Sequence, residues 1–158
     1  MADGRDLQLE RFLPYRLNVL ADEVSQSLSR VYADRYGIAI PEWRIIATLG
    51  QFETMTAKEI GGHSHMHKTK VSRAVTALAE RGLIRRVPNQ EDKREVLLSL
   101  TEAGRRMFDE LAPLAVRYAD RLADALTGEE RRTFDAVLEK LRRRSRELSD
   151  DIAQGTPL

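Results

Sequence analysis

The spacing of apolar residues changes period twice along this chain, and that change constrains the fold more than any other feature. Leu13, Leu17, Leu20, Val24, Leu28 and Val31 recur at three- and four-residue steps, the spacing of one helix face. From Leu83 the pattern shortens. Residues 83–87 form a compact β-prone run, residues 88–93 a polar turn, and Val96, Leu98 and Leu100 fall on one side at a period of two. That is the signature of a β-hairpin. Helical spacing then returns with Met107, Leu111, Leu114, Tyr118 and Leu122, and again with Phe134, Val137, Leu138 and Leu141. The expectation is a mainly α chain carrying one small β-hairpin.

Local signals divide the helical stretches. Pro14 sits near the start of the first helix, where a missing N–H is cheap, and Gly37 is placed to end it. Pro41 opens a second helix through Trp43, Ile46 and Leu49, with Gly50 as its expected stop. Thr56-Ala57-Lys58-Glu59 fits a capping box and begins a short third helix, whose end is blurred by Gly61-Gly62. A turn is expected near residues 63–66. The fourth helix runs from about His67 to Arg81 and stops at Gly82. Its inner face is Val71, Val75 and Leu78. Its outer face is Thr69, Ser72, Arg73 and Thr76, with Lys68 and Lys70 beside it. Thr101 caps a fifth helix, and Thr127-Gly128-Glu129-Glu130 is a second capping box that begins a sixth. Three segments result: an N-terminal helix (1–36), a central domain (37–101) and two long C-terminal helices with a tail (102–158).

Charge marks the central segment. Over all 158 residues the net charge is only +1, yet residues 56–94 hold nine Lys or Arg against four acids. A basic centre between acidic ends fits one anion-binding module in a helical frame. With 42% hydrophobic and 32% charged residues, disorder and a membrane span are poor readings. The chain has no cysteine, which excludes disulfides, thiolate metal sites and thiol redox sensing. The polar start Met1-Ala2-Asp3-Gly4-Arg5-Asp6 lacks an apolar signal region, so a cytoplasmic location without a membrane partner is expected.

Two short helices joined by a tight turn, then a basic hairpin, describe a winged helix-turn-helix. A major groove about 12 Å wide admits one helix whose N-terminal residues reach the base edges. Here those positions are His67, Lys68, Thr69, Lys70, Ser72 and Arg73. Lys and Arg neutralise phosphates or read guanine, and Ser and Thr donate to either. The hairpin tip Asp92-Lys93-Arg94 is placed to carry cations, Lys93 and Arg94, to the adjacent minor groove. Double-stranded DNA is therefore the expected partner.

Val71-Ser72-Arg73-Ala74-Val75, Leu78, Arg81-Gly82-Leu83-Ile84, Asp92-Lys93-Arg94 and Leu98-Ser99-Leu100-Thr101-Glu102-Ala103-Gly104 together resemble the MarR family of bacterial transcription regulators. Pro41-Glu42-Trp43-Arg44 resembles the start of that family's second helix. The likeness covers about residues 12–148. It implies a homodimer with dimerisation helices from both chain ends, bound to a pseudo-palindromic operator and usually acting as a repressor. It implies a wing arginine in the minor groove, Arg94 by residue match, and a wing acid that holds it, Asp92. One departure is His67, where the family commonly has Asp or Ser as the helix cap.

A symmetric dimer also follows from the sequence. Leu7, Leu9, Phe12 and Leu13, with the stripes of the last two helices, exceed what a domain of about 60 residues can cover. The resemblance further implies a small effector, an aromatic carboxylate or an acyl-CoA thioester. Arg16 is a candidate for pairing with its carboxylate, Trp43 for stacking, and His65 is a weaker third candidate. Two other readings stand beside this one. A winged-helix module can bind protein rather than DNA, and His63, His65 and His67 invite a metal-responsive regulator. No carboxylate or cysteine lies among those histidines, so neither a metal nor any other cofactor is expected. No nucleophile elbow, P-loop, dinucleotide glycine motif or HExxH occurs, and the chain is not expected to be an enzyme.

Overall fold

The computed structural model describes residues 7–92 and 94–155. After a 3-10 turn at Leu9–Arg11, the elements are α1 (Leu13–Tyr36), α2 (Ile40–Phe52), β1 (Thr54–Thr56), α3 (Ala57–Ser64), α4 (Lys68–Glu80), β2 (Ile84–Pro88), β3 (Val96–Leu100), α5 (Glu102–Ala123) and α6 (Gly128–Ala153). The chain is mainly α with a small antiparallel sheet, and it is a winged helix-turn-helix. The sheet has three strands in the order β1-β3-β2 rather than the two of a hairpin. β1 pairs Thr54 with Ser99, Met55 with Leu98 and Thr56 with Leu97. Its three residues are too few to show alternation; their extended state comes from a partner strand far along the chain.

Contacts divide the chain into two compact units, the first through Val116 and the second from Arg117. In the first, Ile45, Ile46 and Leu49 of α2, Ile60 of α3, Leu78 of α4 and Leu98 of β3 form the heart of the core. Tyr32 of α1 stacks on Trp43 of α2 with centroids 5.5 Å apart. The stripe of α1 is covered only toward its end: Leu13, Leu17 and Leu20 are exposed while Tyr32 is 2% exposed. Gly37 ends α1 in the left-handed region (φ 60°), where a side chain is disfavoured.

Two helix ends differ from expectation. α2 continues past Gly50 to Phe52. A Cβ at Gly50 would overlap the ring of Phe108 from α5, so this glycine serves close helix packing, not termination. Arg105 seals the crossing, donating to the Gly50 carbonyl at 3.0 Å and lying over the Phe108 ring. α3 likewise runs through Gly61 and Gly62 to Ser64, and His65 turns the chain at φ 52°. Val96 also departs. It is 49% exposed, whereas Leu98 and Leu100 are buried, because cover from the helices ends before the wing does. In the second unit, the Thr127–Glu130 capping box starts α6 as expected, and α6 buries no residue.

Candidate nucleic-acid interface

α4 is built with one satisfied face and one open face. Val71, Ala74, Val75 and Leu78 are buried, at the spacing that keeps them on one side of a helix. Thr69, Ser72, Arg73 and Thr76 occupy the opposite side, with Lys68 and Lys70 beside them, and all six are exposed. Among the described residues, no carboxylate pairs with Lys68, Lys70 or Arg73. His67 caps the helix: its Nδ1 accepts the Thr69 N–H at 3.2 Å, the role an Asp or Ser oxygen usually takes. At the other end, Arg81 donates to the Tyr36 carbonyl at 2.6 Å and the Gly37 carbonyl at 3.1 Å, with Glu42 at 3.8 Å. This side chain therefore ties α4 to the last carbonyls of α1. The sequence marks Arg81 only as a residue before a glycine and gives no sign of that contact.

The wing tip is held by side-chain oxygens that accept backbone N–H groups. Asn89 Oδ1 accepts from Glu91 at 3.0 Å, and Asp92 Oδ1 accepts from Arg94 at 2.9 Å. Asp92 thus meets Arg94 through its backbone. Lys93 lies outside the described residues. Arg94 is exposed, and among the described residues no carboxylate faces its guanidinium. At the base of the wing, Arg85 Nε donates to Ser99 Oγ at 2.9 Å across the β2–β3 pair.

The three histidines have separate environments. His63 packs edge-on against Phe52 with centroids 4.7 Å apart, His65 forms the left-handed turn, and His67 caps α4. Among the described residues, no group of three His, Asp or Glu converges as a metal would require. The metal-responsive reading therefore has no support.

Trp43 is 8% exposed and lines a cavity of about 290 Å³ with Arg44, Ala47, Thr48, Gln51 and His63. Arg44 also reaches Ser25 of α1 at 3.3 Å. Burial raises the Tyr32 hydroxyl above its ordinary value, partly offset by the charge of Arg44. Arg16 and His65 are exposed and are not in this lining. The sequence reading missed Arg44, although it stands next to the Trp43 that reading singled out.

Residues 38–96, the central domain from its second residue to the first residue of β3, match the model of the MarR family. The chain is 29% identical over 98 residues to the organic hydroperoxide resistance transcriptional regulator of Bacillus subtilis, a match covering 62% of this chain and 66% of that protein. Its fold is similar to that of a MarR/EmrR family transcriptional regulator from Acinetobacter sp. ADP1, with a TM-score of 0.81 at 27% identity over 89% of this chain and 99% of the other. The fold is also similar to that of NadR, solved in complex with 4-hydroxyphenylacetate, with a TM-score of 0.72 at 19% identity over 89% and 97% of the two chains. The matched proteins are transcription regulators, not enzymes. With an α4 of open cationic face and a basic wing, the central domain matches the MarR family model, and the chain is similar to transcription regulators of that family.

Proposed function

We propose that this protein is a cytoplasmic, homodimeric repressor that binds a pseudo-palindromic operator and is released by a small acid. The observation that carries the DNA reading is the outer face of α4, whose cations lack acidic partners among the described residues. Each subunit lays Lys68, Thr69, Lys70, Ser72 and Arg73 in a major groove, with His67 at the helix start. Lys93 and Arg94 reach the neighbouring minor groove, and Asp92 fixes the wing backbone. Twin helices read half-sites about 34–36 Å apart. Residues 1–36 and 102–158 supply the dimer contacts. Exposed Leu13, Leu17 and Leu20 on α1 and exposed Phe134 and Val137 on α6 support that assignment. No helix among the described residues is long and apolar enough to cross a membrane.

For the effector, the cavity beside Trp43 and Arg44 offers an aromatic wall and a cation, the pair that holds an aromatic carboxylate. The complex of NadR with 4-hydroxyphenylacetate supports this ligand class. Arg16 and His65 are assigned to the same ligand in the dimer. An acyl-CoA thioester is the other effector class.

The test is duplex binding over a salt series. Affinity is expected to fall steeply with salt, with a slope set by the phosphates neutralised. On a selected operator, Arg94→Ala is expected to lose about 1–3 kcal/mol. A panel of aromatic acids and acyl-CoAs is then scored for release of the operator. A chain that ignores duplex DNA at low salt is a protein-binding winged helix instead.

A further inference from the structure

The C-terminal end of α4 carries a connection that contact with DNA does not use. α4 closes through its own backbone. Gly82 turns at φ 68°, its N–H donates to the Ala79 carbonyl at 3.0 Å, and the Leu83 N–H donates to the Leu78 carbonyl at 2.9 Å, as helix ends with a left-handed glycine do. The Arg81 side chain is therefore not needed to end the helix. It donates instead to the Tyr36 and Gly37 carbonyls, of the class that a helix end leaves without an internal partner. A guanidinium there also suits the negative end of the α1 dipole. Glu42, 3.8 Å from Arg81, accepts the Ala39 N–H at the head of α2 at 3.1 Å.

Tyr36 carries the connection onward. Its carbonyl accepts from Arg81 while its hydroxyl donates to Glu110 of α5. Arg35 lies over the Tyr36 ring at 5.2 Å and reaches the same carboxylate at 3.4 Å. The hydrogen bond to Glu110 pushes the Tyr36 hydroxyl above its ordinary value, which keeps it a donor at neutral pH. One residue thus links the end of α4 to both α1 and α5. α4 has 13 residues and is about 20 Å long. Held at its C-terminal end, it moves its N-terminal end about 3.5 Å for a tilt of about 10°. That is about one base-pair step, and in a two-fold dimer about 5° on each side gives the same change in separation. We propose that Arg81 is a positioning residue, and that the chain Arg81–Tyr36–Glu110 fixes the tilt of α4 and so decides which half-site spacing the protein accepts. The consequence for spacing rests on the DNA reading above, whereas the control of tilt does not.

The experiment uses the full-length protein and two variants. Arg81→Met keeps an aliphatic stem and removes both donated bonds. Tyr36→Phe keeps the ring and removes only the bond to Glu110. The parent is expected to prefer its selected operator, over the same half-sites set one base pair closer or further apart, by about tenfold or more. In both variants that preference is expected to fall to about threefold or less, with affinity for random duplex within about twofold of the parent, because the cations of α4 are untouched. A variant that merely loses stability weakens every duplex alike and keeps the preference, and that result in either variant overturns the proposal. A second readout needs no DNA. The chain has no cysteine, so Thr76→Cys on α4 and Ala103→Cys on α5, both at exposed positions, take one spin label each, with unlabelled protein in excess. The distribution of label separations is expected to shift or broaden in both variants. An unchanged distribution overturns the proposal even where DNA affinity falls. If the distribution changes but the parent ignores duplex at low salt, the DNA reading alone fails and the control of tilt stands.

Discussion

α4 and α6 are both amphipathic helices with basic outer faces, yet they leave opposite things unsatisfied. α4 buries Val71, Ala74, Val75 and Leu78 within its own unit, while Lys68, Lys70 and Arg73 stand without carboxylate partners among the described residues. α6 buries no residue, and Phe134, Val137 and Ile152 are 44%, 43% and 54% exposed. Three of its arginines are paired, Arg142 with Glu139 and Arg144 with Glu147 at 3.1 Å each, and Arg131 with Asp124 at 3.9 Å. Basic runs look alike in sequence, but their surroundings assign them different partners. Free cations on a satisfied helix attract a polyanion. A bare apolar stripe among paired charges calls for another protein surface.

The largest effect that can break this contrast concerns the apolar stripes. Leu78→Ala is expected to destabilise the fold by about 2–5 kcal/mol, because Leu78 is fully buried. Chemical denaturation should show that loss equally at low and high protein concentration. Phe134→Ser is expected to behave differently, shifting the monomer–dimer equilibrium by about 1–2 kcal/mol, read by sedimentation. If Phe134→Ser lowers stability at every concentration and leaves the dimer intact, α6 does not owe its cover to a second copy.

A smaller effect tests the charges. Arg73→Ala is expected to weaken a preferred duplex by about 1–3 kcal/mol. Arg142→Ala on α6 removes only a surface ion pair, worth about 0–1 kcal/mol to stability, and is expected to leave duplex affinity unchanged. Equal losses in the two variants would place α6 on the DNA as well and erase the distinction.

Most of the frame was legible in the residues because it rests on local chemistry. The apolar period gives α1, α5 and α6, the two capping boxes start α3 and α6, and the shift to short β-prone runs marks the wing. What was not legible depends on distant partners. β1 is extended because β3 pairs with it. Gly50 reads as a helix stop, but it is interior because Phe108 occupies the place of a side chain. The outer face of α4 follows from spacing alone. Its unpaired cations and the tie from Arg81 to Tyr36 and Gly37 require the surrounding fold. Arg44 belongs to the same class: no local pattern shows which side chains will border a void.

The caps give the smallest test and sharpen the contrast from a third side. α6 starts with a reciprocal box in which Thr127 N–H donates to Glu130 at 2.7 Å, and α3 has the same arrangement between Thr56 and Glu59. Backbone N–H donation, with help from the threonine hydroxyl, holds both carboxyls below the usual glutamate range. A carboxyl depressed in the folded state adds stability above its unfolded value, and that increment is lost as pH falls through the folded value. α4 has no acid in its first turn and is capped by His67, so it has no such carboxylate to lose. Carboxyl titration by NMR is therefore expected to place Glu59 and Glu130 below the ordinary glutamate range. On acidification past those midpoints, amide exchange should quicken at the first turns of α3 and α6. Thr127→Ala removes only the hydroxyl's share, so Glu130 should rise part of the way toward its ordinary value while the backbone N–H keeps it below, and Glu59 should stay where it was. If Glu130 does not move at all in that variant, the threonine hydroxyl plays no part and the backbone N–H alone holds the carboxyl down.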